Sequence, residues 1–186
     1  IRQKKHTLSK DAEQVLSNLS SLPGFYQLYE VTKHEDMQFE SFEANGKTLE
    51  NSFVLYENLH EMDPDKEVRR GAAKSFYKTL NAYKNTVANE YISQLKKEKM
   101  MATMRGYDSV IDYLLDEQDG DRELYDRQIR MLMTDLAPHM QRYIKLLAKE
   151  HGISDMQFMD AKINLDPDFE VDMTIEESRE YLKKAL

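Results

Sequence analysis

The 186-residue chain has no cysteine, which excludes disulfide bonds and thiolate chemistry. It also has no apolar run near the ~18 residues that a membrane-spanning helix requires. Positive charge is in deficit, because 34 acidic residues face 26 lysines and arginines and leave a net charge of -8. An acidic balance repels phosphate backbones, and no basic stripe with interleaved aromatic residues offsets it. The sequence therefore predicts a soluble protein that binds neither nucleic acid nor membrane.

From the residues at its start, we expect the sequence to be a piece of a longer chain. Ile1 stands where a methionine is expected, and the opening basic residues are followed by polar sequence instead of the apolar core of a signal peptide. The lack of cysteine also favours a reducing, cytoplasmic location. We expect residues 1–186 to form one domain of a longer chain, because this length suits one hydrophobic core better than two.

One long helix is predicted from Asp63 to about Arg105. Asp63 can cap its first amides, and Pro64 suits the first helical position because it has no amide hydrogen to satisfy. Apolar residues recur every three or four positions, which places them on one helical face. They predict a continuous buried stripe that consists of Val68, Ala72, Phe76, Leu80, Tyr83, Val87, Tyr91 and Leu95.

A second long helix is predicted between Asp121 and Gly152, antiparallel to the first. Pro138 lies inside it and should bend it, because proline removes the amide that would bond the Thr134 carbonyl. Its apolar stripe consists of Tyr125, Ile129, Leu132, Leu136, Met140, Tyr143 and Leu147.

Shorter elements flank the two long helices. Ser9 is suited to cap a first helix, and the Asn45-Gly46 pair predicts a β-hairpin at about residues 37–50. Thr174 and Glu177 form a capping box for a last helix that runs to the end of the chain. The predicted fold class is therefore mainly α, an antiparallel long-helix bundle with one small β-hairpin.

No motif for metal binding or nucleophilic catalysis stands out. A zinc-peptidase helix needs two histidines four residues apart with a glutamate after the first, but His60-Glu61 is followed by the helix boundary at Pro64. Glu57 and His60 have the spacing found in di-iron bundles, yet such a site needs this pair twice. The other histidines are isolated: His6, His34, His139 and His151. We predict no catalytic residue and no metal ligand in this chain.

Two features leave a binding role open. Several of the eleven methionines could line a flexible peptide groove, although apolar residues at helical spacing favour core packing: Met100, Met101, Met104, Met131, Met133 and Met140. Arg105-Gly106-Tyr107 is a polar and aromatic cluster at a helix end, where loops can present side chains to a ligand. An ordinary helix C-cap explains the same residues. Arg105 and Tyr107 are the candidate substrate-channel residues.

Eight short landmarks in register, over nearly the whole chain, make the sequence resemble the N-terminal region of oligoendopeptidase F, a branch of the thimet oligopeptidase type of zinc metallopeptidases. The landmarks are His6-Thr7-Leu8-Ser9, Asp36-Met37-Gln38-Phe39, Asp65-Lys66-Glu67-Val68-Arg69, Tyr83-Lys84-Asn85-Thr86, Arg105-Gly106-Tyr107-Asp108-Ser109, Tyr125-Asp126, Arg142-Tyr143, and Thr174 to Leu186.

The resemblance implies two mostly helical lobes around a channel for short peptides, with the N-terminal lobe as one wall. The family hydrolyses peptides by metal-assisted attack of water, with a glutamate as general base. Its zinc ligands lie in a later region and have no counterpart here, so we expect this chain to bind no cofactor and to be inactive alone. Its partners would be the catalytic lobe of the same polypeptide and short peptide substrates. The alternative is a self-sufficient helical protein-interaction module without enzymatic activity.

Overall fold

The computed structural model describes residues 5–169 and 173–185. In it, most elements of the preceding chain pack against one long helix. This helix, α4, runs from Lys66 to Met104, and its 39 residues make it about 58 Å long. Asp65 caps it, because its carboxylate accepts hydrogen bonds from the amides of Glu67 at 2.7 Å and Val68 at 3.2 Å.

The predicted start of α4 at Asp63 is wrong by two residues. Because a proline disfavours helical backbone in the residue before it, Asp63 is extended, with a ψ of 130°. The Asp63 carboxylate accepts the amide of Asp65 at 2.8 Å, which closes a turn of the kind that aspartate favours. Pro64 therefore lies in this turn and outside the helix.

The elements before α4 are α1 Lys10–Leu19, α2 Phe25–Val31, a π turn Thr32–Asp36, β1 Phe42–Ala44, β2 Lys47–Leu49, α3 Phe53–Asn58 and a 3₁₀ turn His60–Met62. Ser9 caps α1 as predicted. The two strands pair antiparallel, with φ angles of 51° at Asn45 and 71° at Gly46 in their turn. These angles are the reason that an Asn-Gly pair favours a tight hairpin. The β-hairpin of the predicted fold class is present, with strands shorter than the predicted span.

The main hydrophobic core lies where the hairpin and α3 pack against the first half of α4. The ring of Phe76 stacks on Tyr56 with centroids 4.1 Å apart and meets Phe53 edge-on at 4.8 Å. A Cβ atom at Gly71 would lie 2.7 Å from the Phe42 ring, so glycine at this position lets β1 approach the helix closely. The buried members of the core are Met37, Phe42, Ala44, Phe53, Tyr56, Ala72, Ala73 and Phe76.

The buried face of α4 is shorter than the apolar pattern predicts. The members of the apolar stripe from Val68 to Val87 belong to the core or pack against it. The next two members are exposed, Tyr91 by 64% and Leu95 by 45%. The predicted continuous stripe is therefore wrong at its last two positions. At these two positions the apolar pattern of α4 continues, but no described element covers the side chains.

The second half of the chain contains α5 Val110–Glu117, α6 Arg122–Met131, α7 Ala137–Glu150 and α8 Ile175–Ala185. A π turn, Leu132–Leu136, joins α6 to α7 and interrupts the predicted second long helix immediately before Pro138. Such insertions are a recognised way to accommodate a proline, and the bend itself stays a prediction. The capping box of α8 forms, because the Glu177 carboxylate accepts the Thr174 amide at 2.8 Å. Leu186 lies outside the described residues.

The second helical segment runs antiparallel to α4. It begins beside α5, which packs against α4 after the chain reverses at Gly106. Its last helix, α7, is followed by residues 155–160, which bind the first turns of α4 through Arg69 and Arg70. The predicted mainly α fold with one small hairpin is therefore confirmed. Among the described residues, no helix combines the length and apolarity needed to cross a bilayer.

A buried carboxylate joins the segment that follows α7 to the first turns of α4. Asp160 is fully buried and binds Arg69 at 2.9 Å and Arg70 at 2.6 Å. Arg69 is also buried, and it donates to the carbonyls of Asp63 at 2.7 Å and Pro64 at 2.8 Å. Burial opposes ionisation of Asp160, but the hydrogen bonds from Arg70 and Arg69 outweigh it and lower the pKa of its carboxyl. We call Asp160, Arg69 and Arg70 the carboxylate anchor.

Replacing Asp160 with asparagine should destabilise the chain by about 3–5 kcal/mol, because it leaves the buried Arg69 guanidinium without its counter-ion. Urea unfolding followed by circular dichroism measures this loss. Lys78→Met is the control, since it removes an ion pair with Glu40 in which both side chains are about two-thirds exposed. That variant should change the unfolding free energy by about 1 kcal/mol or less. Equal losses in the two variants would contradict the anchor.

Candidate functional site

The predicted site residues Arg105 and Tyr107 lie where α4 ends. Gly106 adopts a φ of 71°, the left-handed conformation that glycine accepts without strain. The amide of Tyr107 donates to the carbonyl of Ala102 at 2.9 Å, and that of Gly106 to Thr103 at 3.2 Å. These two bonds form a Schellman motif. The helix-cap interpretation of this cluster is therefore correct for its backbone.

The side chain of Arg105 ties the start of the chain to this helix end. Its guanidinium donates to both carboxylate oxygens of Glu13, at 2.8 and 2.9 Å, and to the carbonyl of His6 at 3.2 Å. His6 Nδ1 donates in return to the Arg105 carbonyl at 2.8 Å. The hydrogen bond from Arg105 lowers the pKa of Glu13. Charge-assisted bidentate pairs of this kind fix geometry as well as charge.

Tyr107 extends the same cluster toward α5. Its ring stacks on His6 with centroids 3.7 Å apart and planes 14° from parallel. Its hydroxyl donates to Asp116 at 2.6 Å. Desolvation, followed by this hydrogen bond, raises the pKa of Tyr107 to about 12, so the phenol stays protonated and donating at neutral pH. We call His6, Glu13, Arg105 and Tyr107 the N-terminal clasp.

A polar cleft of about 350 Å³ opens beside the clasp. Arg105 and Tyr107 both line it, so the structure brings the two predicted residues together in one cavity. Their neighbours there are His6, Thr7, Glu13, Tyr113, Asp116 and Glu117. Carboxylates, phenols and a guanidinium can accept hydrogen bonds from a peptide and donate hydrogen bonds to it. The chemistry of the lining is suited to binding a polar ligand.

The sequence did not place His6 in this site. It stands 99 residues before Arg105, and nothing in its local spacing indicates a long-range partner. One signal was available, because the segments at 6–9 and 105–109 are both landmarks of the family resemblance. The structure explains that coincidence by direct contact between the two segments.

The described residues do not fit a zinc ion. Within this part of the chain, no three histidine, aspartate or glutamate side chains converge on a point. His60 is buried and donates from Nε2 to the carbonyl of Glu50 at 2.9 Å. The neighbouring Glu61 binds Lys162 at 2.6 Å. Both side chains of the apparent half-motif are thus engaged in holding the fold.

The second apolar stripe lies mostly on the surface. Leu147 is buried against Ile153 and Ile163. The remaining exposed members form what we call the apolar row, with exposures of 46% for Ile129, 51% for Leu132, 46% for Leu136, 47% for Met140 and 37% for Tyr143. Leu132 and Leu136 of this row line a groove of about 570 Å³ at the π turn.

The methionines depart from the favoured core packing in the same way. Five of the six named above are more than two-fifths exposed: Met100, Met104, Met131, Met133 and Met140. Met101 is half-buried. Helical spacing does not decide whether a side chain is covered, because that depends on what else packs there.

The fold and the site thus define a mainly helical lobe with a polar cleft and an exposed apolar face. Residues 59–182 match the model of peptidase family M3. The chain therefore belongs to peptidase family M3.

Within that family the chain is similar to oligoendopeptidase F, as its landmarks predict. It is 27% identical over 187 residues to oligopeptidase PepF of Bacillus subtilis (strain 168), covering all of this chain and 28% of that protein. It is 29% identical over 150 residues to an oligoendopeptidase F homolog of Borreliella burgdorferi, covering 80% of this chain and 24% of that protein. The crystal structure of oligoendopeptidase-F from Enterococcus faecium superposes with a TM-score of 0.79 at 22% identity, covering 96% of this chain and 34% of that chain.

These relatives are much longer than the present chain, which spans between 24% and 34% of their length. The similarity to the solved structure establishes the fold. The family membership makes the parent a peptidase-family protein.

Arg105→Met should release the start of the chain from α4, because it removes both bonds to Glu13 and the bond to the His6 carbonyl. We expect amide hydrogen exchange in α1 to become at least about tenfold faster. Arg122→Met is the matched control, since Arg122 pairs with Asp112 and Asp126 and has no part in the clasp. Unchanged protection of α1 in Arg105→Met would show that the clasp does not hold it.

Proposed function

We propose that this chain is the N-terminal, non-catalytic lobe of a zinc-dependent oligoendopeptidase and forms one wall of its substrate channel. The observation that carries the proposal is the apolar row on α6 and α7. Five large apolar side chains in helical register are between 37% and 51% exposed, and such a continuous apolar surface marks an interface. Since this chain spans about a third of its relatives or less, the occupant that we assign to the row is the remaining part of the same polypeptide.

The polar cleft beside the N-terminal clasp is the surface that we assign to the channel. Arg105 can offer its partly exposed guanidinium to a peptide carbonyl, and Tyr107 can pack against a peptide side chain. Both are positioned by backbone and side-chain bonds that do not need a ligand. A preformed site of this kind lowers the entropic cost of binding a short peptide.

The metal chemistry of the parent would lie outside this chain. The resemblance implies zinc, and the donor set of the described residues does not fit it. We therefore assign zinc and the catalytic residues to the catalytic lobe that follows. This chain would supply shape and electrostatics, and its lack of cysteine suits a cytoplasmic enzyme.

The chain alone should not hydrolyse an internally quenched peptide, with or without added zinc, whereas the parent with its encoded continuation should do so. Fluorescence release measures both reactions under the same conditions. The parent treated with a metal chelator is the control for metal dependence. Robust, chelator-sensitive cleavage by residues 1–186 alone would falsify the assignment of a non-catalytic lobe.

The apolar row can be tested by one substitution in two contexts. Leu132→Asp should change the unfolding free energy of the isolated chain by about 0.5 kcal/mol or less, because this side chain is already half exposed. In the parent, burial of the same carboxylate against the catalytic lobe should cost at least about 2 kcal/mol. Thermal unfolding measures both.

Leu22→Asp serves as the matched control, since Leu22 is 62% exposed and lies outside the row. It should be mild in both contexts. A Leu132→Asp variant that is equally mild in the parent would favour the alternative, in which the chain is a self-sufficient interaction module.

A further inference from the structure

We propose that a pocket between α2 and α4 binds the arginine side chain of a peptide, with Glu90 as its anionic partner. The pocket has a volume of about 350 Å³ and lies apart from the cleft at the N-terminal clasp. It is lined by Phe25, Tyr26 and Tyr29 from α2 and by Val87, Glu90, Tyr91 and Gln94 from α4. The inference rests on the proposed function where it takes the peptide to be a substrate.

The carboxylate of Glu90 has a hydrogen-bond donor on only one of its two oxygens. Its Oε1 atom accepts a hydrogen bond from the hydroxyl of Thr32 at 2.7 Å. Thr32 is buried and begins the π turn that follows α2. Insertions of this type are frequent at functional sites, and here the turn places a donor directly on Glu90. One oxygen of the carboxylate is therefore fixed by the fold itself.

The second oxygen, Oε2, is buried, and no described protein group donates a hydrogen bond to it. A buried carboxylate oxygen without a donor is unfavourable, and a charged donor compensates it best. Glu90 is one of the side chains that line the pocket. Oε2 has almost no accessible surface in the ligand-free chain, so a guanidinium that enters the pocket can supply the missing donor once the side chains that cover this oxygen move aside. An anion would be repelled, and a neutral apolar group would leave Oε2 unpaired.

The rest of the lining suits the other parts of an arginine side chain. Four aromatic rings surround the pocket, and two of them, Tyr26 and Tyr91, are 65% and 64% exposed. Aromatic faces attract cations and stack on the planar guanidinium. Phe25 and Val87 offer apolar surface to the methylene stem. A lysine ammonium would meet the same carboxylate, but it cannot stack, so arginine is the better ligand.

The test uses the tripeptide acetyl-Gly-Arg-Gly-amide, whose blocked ends leave one charge, and its citrulline analogue, which keeps the shape but is neutral. Titration followed by amide chemical shifts should show saturable changes in α2 and around Glu90. We expect the citrulline peptide to bind at least about tenfold more weakly, the loss that a charge-assisted hydrogen bond implies. Equal binding of the two peptides would overturn the proposal.

Variants identify the carboxylate. Glu90→Gln should weaken binding of the arginine peptide at least about tenfold, whereas Glu123→Gln, which removes an exposed glutamate of α6, should change it less than about twofold. Tyr91→Ala alters an exposed ring and should weaken binding without unfolding the chain. Shift changes spread over the acidic surface, or unchanged binding by Glu90→Gln, would contradict the site.

These measurements are made on binding by this chain and do not depend on hydrolysis. Failure of the peptide-cleavage prediction for the parent would leave the arginine site standing. Conversely, loss of the arginine site would leave the non-catalytic lobe standing.

Discussion

The buried carboxylate of Asp160 holds the end of the second helical segment against the start of α4. Taking a carboxylate and a guanidinium out of water is costly, and it is repaid only when the geometry satisfies nearly all donors and acceptors. Here Asp160 has two arginines, and Arg69 also bonds the carbonyls of Asp63 and Pro64. The anchor thus fixes the turn before α4, the first helical turns and the returning chain together. Any other register would leave a buried charge unpaired.

The sequence predicted the elements better than their burial. Helix existence follows from local spacing, so α4, the interrupted second helix and the Asn45-Gly46 turn were all found. The start of α4 was missed because the effect of Pro64 on its preceding residue outweighed its suitability for a first helical position. Val68 and Leu132 belong to two similar stripes, yet the first packs against the main core and the second is exposed. The periodicity of apolar residues identifies one face of a helix, but it does not show whether another element packs against that face.

Long-range polar contacts were the least predictable part. The pairing of Asp160 has no signal in the local sequence, because its arginine partners lie 90 and 91 residues away. At the candidate site, Arg105 and Tyr107 were identified from a helix end, while their partner His6 was treated as isolated. The helix-cap interpretation holds for the backbone, and a ligand-facing role for the two side chains stays a prediction. The backbone of Arg105 and Gly106 ends the helix, and the side chains of Arg105 and Tyr107 line the cleft.

The distance along the chain between the members of the carboxylate anchor has a consequence for how the lobe assembles. Helix α4 can form from local contacts alone, but joining Arg69 to Asp160 closes a loop of about 90 residues, which carries a large entropic cost. Such non-local closures come late in folding and slow it. During synthesis the two arginines therefore stay solvated until residue 160 has left the ribosome. The contact between α4 and the segment after α7 can form only when most of the chain has been made.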